Sequence, residues 1–224
     1  MSKTCKDGGW KNKYIRRWIP TGGPFSGASI AIKALLYGEN LGAPNCIVPP
    51  LVVREEIRTY ESSMIIVPMP HIWQDVTIVQ TPTKNYSTFD YKTLFKLAKI
   101  ETGYERFVLA NNLTGNLTPP NVDTTNIYST GVKTPLRLAY SGSFERSPSP
   151  HRRGNFDKKP KIIYGEGDGM VNLRSLSDDI GHWKQNNGGH EYKEHVLKNV
   201  HHLDIIKSAR YILKVIDLLT QPDN

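Results

Sequence analysis

Two short segments near the C-terminal end of the 224-residue chain carry residue types suited to proton transfer. The first, GEGDGMVN, places Asp168 in a glycine-rich turn directly after the apolar run Lys161–Tyr164. The second, NVHHLDII, places His201 and His202 between a predicted strand and the last predicted helix. A carboxylate can orient an imidazole and stabilise its protonated form, while the imidazole takes the proton of a nucleophile. The pattern predicts the acid and base of a hydrolase triad, with His201 and His202 as alternatives for the base.

A nucleophile with equally suitable surroundings is missing from the sequence. In α/β-hydrolases it precedes the acid and the histidine, on a tight small-x-Ser-x-small turn between a strand and a helix. Ser29 lies in GASIA ahead of a helix, but its strand is predicted to end near Ile19. Ser141 lies in AYSGS, which a proline-rich loop follows, and Cys46 stands among prolines with no helix after it. We therefore interpret Ser29 as a residue of a helix start and Ser141 as a loop residue.

The two polar segments follow strands in a predicted alternation of strands and helices. Strands are predicted at Tyr14–Ile19, DVTIVQTP, TTNIYST, Lys161–Tyr164 and YKEHVLKNV, and helices at ASIAIKALLYG, TFDYKTLFKLAKI, VNLRSLSDDIGHW and Ala209–Leu219. Gly38 is expected to end the first helix. Such alternation, with an acid and a histidine after neighbouring strands, is typical of an α/β fold with a parallel sheet and flanking helices. The proline-rich stretch from Glu39 to about Pro120 is expected to be an insertion over the core, and SGSFERSPSPHRRGNFDKKP a polar surface loop.

Composition argues against several other classes of protein. The net charge is +8, but the basic residues are scattered and lack interleaved aromatic residues, so no nucleic-acid partner is predicted. The two cysteines, Cys5 and Cys46, do not indicate a disulfide framework. The histidines lack the spacing of a metal site, and no apolar run is long enough to span a membrane.

Three Asn-x-Ser/Thr triplets, at Asn85, Asn112 and Asn116, favour a glycoprotein of the secretory pathway. The N-terminal residues MSKTCKDGGWKNK nevertheless lack the apolar region of a signal peptide. A secretory protein without a signal leads us to expect that part of its N-terminus is absent from this chain.

The stretch WKNKYIRRWIPTGGPFSGASIAIKALLYGENLGAP resembles the region after the nucleophile helix in the lecithin:cholesterol acyltransferase-like family. Further segments that resemble this family, in order, are REEIR, VQTPTKNYSTFDY, YSTGVKTP, GEGDGMVNLRSL and HHLDII. The resemblance extends from about Trp10 to Leu219 and is stronger to the phospholipase branch. It implies Asp168 as the triad acid and His202, rather than His201, as the base. It also implies that the serine, the oxyanion hole and a membrane-docking subdomain lie upstream of Trp10.

The fold implied by the resemblance is the C-terminal portion of an α/β-hydrolase with a cap and lid insertion. A core strand and helix would occupy residues 1–38, and a cap 39–130, with a lid at Gly38–Glu61. A polar loop region would occupy 131–160, and the core segment with the acid and histidine 161–224. Two positions depart from the family. A disulfide often joins the strand near Ile127 to the helix near Ile180, where this chain has no cysteine, and Met170 replaces the usual threonine, so the hydrogen bonding of that turn is expected to differ.

The activity implied by the resemblance is hydrolysis or transfer of glycerophospholipid acyl groups through a serine acyl-enzyme. The partners would be a phospholipid or membrane surface and, as acyl acceptor, water or a lipid alcohol; no cofactor is implied. The full-length parent would be lysosomal or secreted, and this chain alone inactive. Two alternatives remain: a non-catalytic lipid-binding or interaction protein derived from the fold, and an unrelated basic scaffold with Asp168 and His202 far apart.

Overall fold

A computed structural model describes residues 9–114, 116–144 and 154–221. Its helices are α1 (Gly9–Tyr14), α2 (Ser29–Leu36), α3 (Pro50–Ile57), α4 (Ser62–Ile65), α5 (Tyr91–Leu97), α6 (Gly103–Thr114), α7 (Leu173–Leu176), α8 (Trp183–Asn186) and α9 (Ala209–Thr220). Its strands are β1 (Thr77–Gln80), β2 (Asn85–Ser87), β3 (Thr124–Thr130), β4 (Thr134–Ala139), β5 (Lys161–Gly165) and β6 (Tyr192–Lys198). Cys5 and residues 145–153 of the predicted polar loop lie outside the described residues. Among the described helices, none has both the length and the apolar character needed to cross a membrane.

The strands form two hydrogen-bonded sets. In the first, β3 and β6 run parallel and pair along seven residues each. In the second, the order is β2-β1-β4-β5, with β1 and β4 parallel and the two outer pairs antiparallel. The described chain is therefore mixed α/β with flanking helices, compatible with an α/β-hydrolase-like fold.

The expectation that the acid and the histidine follow neighbouring strands is wrong in one respect. The strand before Asp168, β5, forms an antiparallel hairpin with β4 in the second set, whereas β6 belongs to the first set. The neighbour of β6 is β3, the strand that precedes this hairpin. Strand pairing depends on hydrogen bonds between residues that are far apart in the sequence, and a local sequence pattern does not reveal these bonds.

The predicted strand Tyr14–Ile19 is also only partly correct. Tyr14 ends α1, and pairing begins at Trp18, whose N–H donates to the carbonyl oxygen of Asp123 at 2.8 Å. Parallel bridges then join Trp18 and Thr21 to β3. The ladder is short because Pro20 has no N–H to donate, so this segment is an irregular edge beside β3.

Gly38 ends α2 as expected, with φ +106° and its N–H donating to the carbonyl oxygen of Lys33 at 2.9 Å. The segment Gly38–Glu61 lies outside both sheets, but it contains α3 and is not all loop. Arg54 and Arg58, both buried, donate hydrogen bonds to the last carbonyl groups of α2. These bonds satisfy carbonyls that a helix end leaves free and anchor α3 to α2.

The described residues form three hydrophobic clusters, and the largest and one of the two smaller ones pack helices against the strand sets. The larger one packs α2, α5 and α6 against the second strand set, with Leu35, Leu36, Val79, Tyr86, Leu94 and Phe95 among its most buried members. The smaller one packs α9 and the segment before it onto β3 and β6 through Ile127, Leu197, Ile205 and Leu218. Each fully buried side chain of this size contributes roughly 1.5–3 kcal/mol. The smaller cluster therefore holds the elements that carry the histidine.

Candidate active site

The β4–β5 hairpin returns the chain to the carboxyl end of β3, and this places Asp168. Val132, just after β3, donates its N–H to the carbonyl oxygen of Gly167 at 3.0 Å and forms a parallel bridge with Asp168. His202 follows β6. Because β3 and β6 are parallel, their carboxyl ends lie at the same edge of the sheet. Asp168 and His202 meet there, although the strand just before Asp168 is not part of that ladder.

The Asp168 side chain is fully buried and held in one orientation. One carboxylate oxygen, Oδ1, accepts the backbone N–H groups of Met170 at 3.0 Å and Val171 at 2.7 Å. The other oxygen, Oδ2, lies 2.7 Å from Nδ1 of His202. Gly169, at φ +99°, makes the turn possible, and its N–H donates to Oγ1 of Thr134 at 2.8 Å. The hydrogen bond that Met170 contributes to this turn therefore comes from its backbone N–H group.

The His202 ring is oriented from two sides. Its backbone N–H donates to the carbonyl oxygen of Asp168 at 2.8 Å, and its Nδ1 faces the Asp168 carboxylate. On the other side a Cβ added to Gly22 would lie 3.1 Å from Cε1 of the ring, so a residue without a side chain makes room for it. A carboxylate at Nδ1 selects the tautomer with hydrogen on Nδ1, which leaves the lone pair of Nε2 able to accept a proton.

His201 does not bond to the Asp168 carboxylate, as expected, although it lines the same cavity as Asp168 and His202. It is exposed, and its Nδ1 would be 3.1 Å from a Cβ added to Gly169. Among the described hydrogen bonds, the Asp168 carboxylate is bonded to the His202 ring and not to His201. The geometry therefore separates two histidines that the sequence pattern alone leaves as alternatives.

A cavity of about 500 Å³ opens beside the pair and is lined by both Asp168 and His202. Its wall combines apolar and charged side chains, among them Ile30, Leu41, Tyr164, Met170, Leu203, Glu39, Lys133, Asp204 and Lys207. A concave surface on which apolar side chains and convergent polar groups meet is compatible with a small-molecule site. The arrangement can bind an apolar ligand and move a proton at Nε2 of His202.

The other residues considered as nucleophiles lie apart from this pair. Ser29 is buried in α2, and within the described chain its hydroxyl has no hydrogen-bond partner. Ser141 is exposed after β4, and Cys46 is an exposed free thiol. None of the three makes a described hydrogen bond to His202 or lines the cavity. Within the described residues no cluster of histidine, cysteine and acidic side chains could hold a metal ion.

The sequence matches the family described as lecithin:cholesterol acyltransferase over residues 1–209. The chain belongs to this family. The lysosomal phospholipase A and acyltransferase of Mus musculus is 31% identical over 214 residues, which are 95% of this chain and 48% of that protein. The lecithin-cholesterol acyltransferase-like 1 of Arabidopsis thaliana is 36% identical over 173 residues, 75% of this chain and 37% of that protein. The phosphatidylcholine-sterol acyltransferase of Gallus gallus is 30% identical over 202 residues, 89% of this chain and 45% of that protein.

The chain thus spans about half the length of the curated relatives it matches. Its membership of the lecithin:cholesterol acyltransferase family confirms the predicted resemblance and excludes the unrelated basic scaffold. Ile127 and Ile180, near which the resemblance implies a disulfide in other members, are both fully buried in this chain. Buried isoleucine side chains stand at both positions in this chain.

Three residues that support the pair were not predicted from the sequence. Gly22 and Thr134 contact the ring and the acid turn, as described above. Glu166 accepts hydrogen bonds from the Thr130 hydroxyl and from the N–H of Gly131 at 2.6 Å, which ties the end of β3 to the turn. The hydrogen bond from the Thr130 hydroxyl, with a smaller contribution from that of the Gly131 N–H, holds the pKa of Glu166 below its usual value. The sequence signals of Gly22 and Thr134, a glycine pair and a Lys-Thr-Pro triplet, are too common to indicate a site.

Proposed function

We propose that this chain carries the acid and base of a serine phospholipase A or lipid O-acyltransferase, with Asp168 as the acid and His202 as the base. The observation that carries the proposal is the 2.7 Å contact between the fully buried carboxylate and the imidazole, at the wall of a partly apolar cavity. The names of the relatives, which include phospholipase A and acyltransferase, support glycerophospholipid as the acyl donor. Water or a lipid alcohol would be the acceptor.

In the proposed reaction, Nε2 of His202 takes the proton of a serine hydroxyl as its oxygen attacks the ester carbonyl carbon. Asp168 stabilises the imidazolium that forms. The imidazolium then gives the proton to the leaving alkoxide of the lysophospholipid as the ester C–O bond breaks, and an acyl-enzyme remains. Water or an alcohol next loses its proton to Nε2 and attacks the acyl-enzyme. The C–O bond to the serine then breaks as the imidazolium returns this proton to the serine oxygen, which releases fatty acid or a new ester and restores the serine.

We place the nucleophilic serine, the oxyanion hole and the membrane-docking subdomain outside these residues, upstream of Trp10. The position of Ser29 inside α2 and of Ser141 on an exposed loop supports this placement. Residues 1–38 and 161–224 would form core segments, and 131–160 a region in which β4 is followed by the predicted polar loop. Residues 39–130 would form a cap whose lid is Gly38–Glu61 and whose last strand, β3, pairs with β6.

The parent protein would be lysosomal or secreted and glycosylated. The three triplet asparagines, Asn85, Asn112 and Asn116, are all exposed, which is compatible with a glycan at each. Mass spectrometry of the protein expressed in a secretory host, before and after enzymatic deglycosylation, tests this part of the proposal. An unchanged mass would contradict it.

The activity test compares the 224-residue chain with the same chain extended by the coding sequence upstream of Met1. Fatty acid release from phospholipid vesicles is expected to stay at background for the chain and to appear with the extended protein. There, His202→Ala should lower kcat on the order of a thousandfold or more, by analogy with triad deletions. His201→Ala is the matched control and should stay within a few-fold of the wild type.

Each contrary outcome removes a specific part of the proposal. Hydrolysis by the 224-residue chain that Ser29→Ala abolishes would refute the placement of the nucleophile. Equal losses for the two histidine variants would refute the assignment of the base. Vesicle binding by the extended protein without any fatty acid release would favour the alternative, a non-catalytic lipid-binding or interaction protein derived from this fold.

A further inference from the structure

The charged side chains around the cavity are unequally paired. Three carboxylates line it, and each already faces a basic group: Asp168 faces His202, Asp204 faces Lys207 at 3.2 Å, and Glu39 faces Lys33. Lys133 also lines the cavity, and among the described ion pairs it has no acidic partner. The lining therefore presents a lysine whose charge is available to a ligand.

The position of Lys133 is set by its neighbours on both sides. Val132 is bonded to Gly167 and bridged to Asp168, and Thr134, which is fully buried, accepts the N–H of Gly169. Both neighbours are thus tied to the turn that carries the acid. Lys133 itself is exposed, and it lines the cavity together with the acid-turn residues Asp168, Gly169 and Met170.

We propose that Lys133 binds the phosphodiester of the substrate and makes the site selective for phospholipids whose headgroup has a net negative charge. The identity of the substrate rests on the proposed acyl-transfer function. In a glycerophospholipid, the phosphodiester and both acyl esters are carried by one three-carbon glycerol unit. A cation that holds the phosphate must therefore lie near the base that serves the ester, and Lys133 and His202 line one cavity.

The chemistry of the headgroup gives the expected selectivity. A lysine ammonium binds a phosphate oxygen as a point charge through charge-assisted hydrogen bonds. A zwitterionic headgroup brings its own cation, which competes with Lys133 for the phosphate. A fatty acid carboxylate carries the same single charge as the phosphodiester, so the two sources of negative charge must be separated by experiment.

Binding to the 224-residue chain is measured by calorimetry with short-chain lipids kept below their micelle concentration. The probes are dihexanoylphosphatidylglycerol, dihexanoylphosphatidylcholine, dihexanoylglycerol and hexanoate. Lys133→Gln should weaken phosphatidylglycerol binding about tenfold, the size of one charge-assisted hydrogen bond, and leave dihexanoylglycerol unchanged. Lys133→Arg should retain most of the affinity. Lys161→Gln, at an exposed lysine of β5 outside the cavity lining, is the matched control and should match the wild type.

Wild-type binding of phosphatidylglycerol that is undetectable, or equal to that of Lys133→Gln, would overturn the proposal. A loss confined to hexanoate would overturn it too, since the site would then hold the product carboxylate. In the extended protein, Lys133→Gln should raise KM for phosphatidylglycerol with kcat within a few-fold. Lys133-dependent binding in an extended protein that releases no fatty acid would support the phosphate site and refute acyl transfer. A failure of the phosphate site can therefore be distinguished from a failure of the proposed acyl-transfer function.

Discussion

Replacing Asp168 by asparagine should reverse the tautomer of His202 while leaving the turn intact. Oδ1 of Asp168 accepts two backbone N–H groups, and Oδ2 faces Nδ1 of the ring. An asparagine has one carbonyl oxygen and one NH₂ group for these two places. With the oxygen kept at the two N–H donors, the NH₂ group faces the imidazole, and Nδ1 must become an acceptor.

The magnitudes decide which arrangement forms. Turning the amide the other way would leave two backbone N–H groups, one buried and one partly buried, without acceptors. The cost is about 1–3 kcal/mol each, or roughly 2–6 kcal/mol in total at most. Keeping the oxygen in place instead moves one hydrogen from Nδ1 to Nε2. Nε2 then cannot take a proton. In the extended protein, kcat should fall on the order of 10⁴-fold, as for the same change in serine protease triads, which is roughly 5.5 kcal/mol at 1.36 kcal/mol per tenfold.

The tautomer can be measured on the 224-residue chain without any activity, from ¹⁵N shifts and ring couplings of labelled histidine at a pH where the ring is neutral. The wild type should show hydrogen on Nδ1 of His202, and Asp168→Asn should show it on Nε2. Asp204→Asn is the control, because Asp204 lies two residues after His202, in the 3₁₀ helix His202–Lys207, but pairs with Lys207. Hydrogen on Nδ1 in Asp168→Asn, with the chain folded, would refute the reasoning.

Three further outcomes are expected. Gly38→Ala should lower the free energy of unfolding by about 3 kcal/mol or more, since its Cβ would lie 1.8 Å from a backbone carbonyl oxygen. Gly42→Ala, also at positive φ but with nothing within 4 Å of the added Cβ, should lower it by only about 1–2 kcal/mol. Equal losses for the two variants in urea titrations would contradict this prediction. Burial raises the pKa of Asp179, so the folded chain binds more protons, and the free energy of unfolding should fall as pH rises from the ordinary aspartate pKa to the raised one. In Asp179→Asn the free energy of unfolding should no longer fall over this pH range. The same pH dependence in the wild type and the variant would contradict the prediction. The segment Gly38–Glu61 should exchange its amide hydrogens faster than Lys161–Tyr164, and slower exchange would exclude a lid there.

Several elements follow from local sequence alone. The alternating run of β6 and the helical spacing of α2 and α9 predict these elements within one or two residues at their ends. Gly38 predicts the end of α2 because glycine adopts a left-handed conformation at little cost. Periodicity does not predict α6, which contains an asparagine pair, or β4, which has Pro135 as its second residue. In both, tertiary packing overrides weak local preference.

The sequence by itself determined the residue types of the site, their order along the chain and the strand and helix that flank the histidine. These properties depend on neighbours a few residues apart. The tertiary structure decided that Asp168 meets His202, since the hairpin of β4 and β5 carries the acid back to the end of β3, beside β6. It also placed Gly22 against the ring and Lys133 in the cavity. Those contacts depend on which strands become neighbours, and long-range hydrogen bonds and burial select that pairing with no trace in the local pattern.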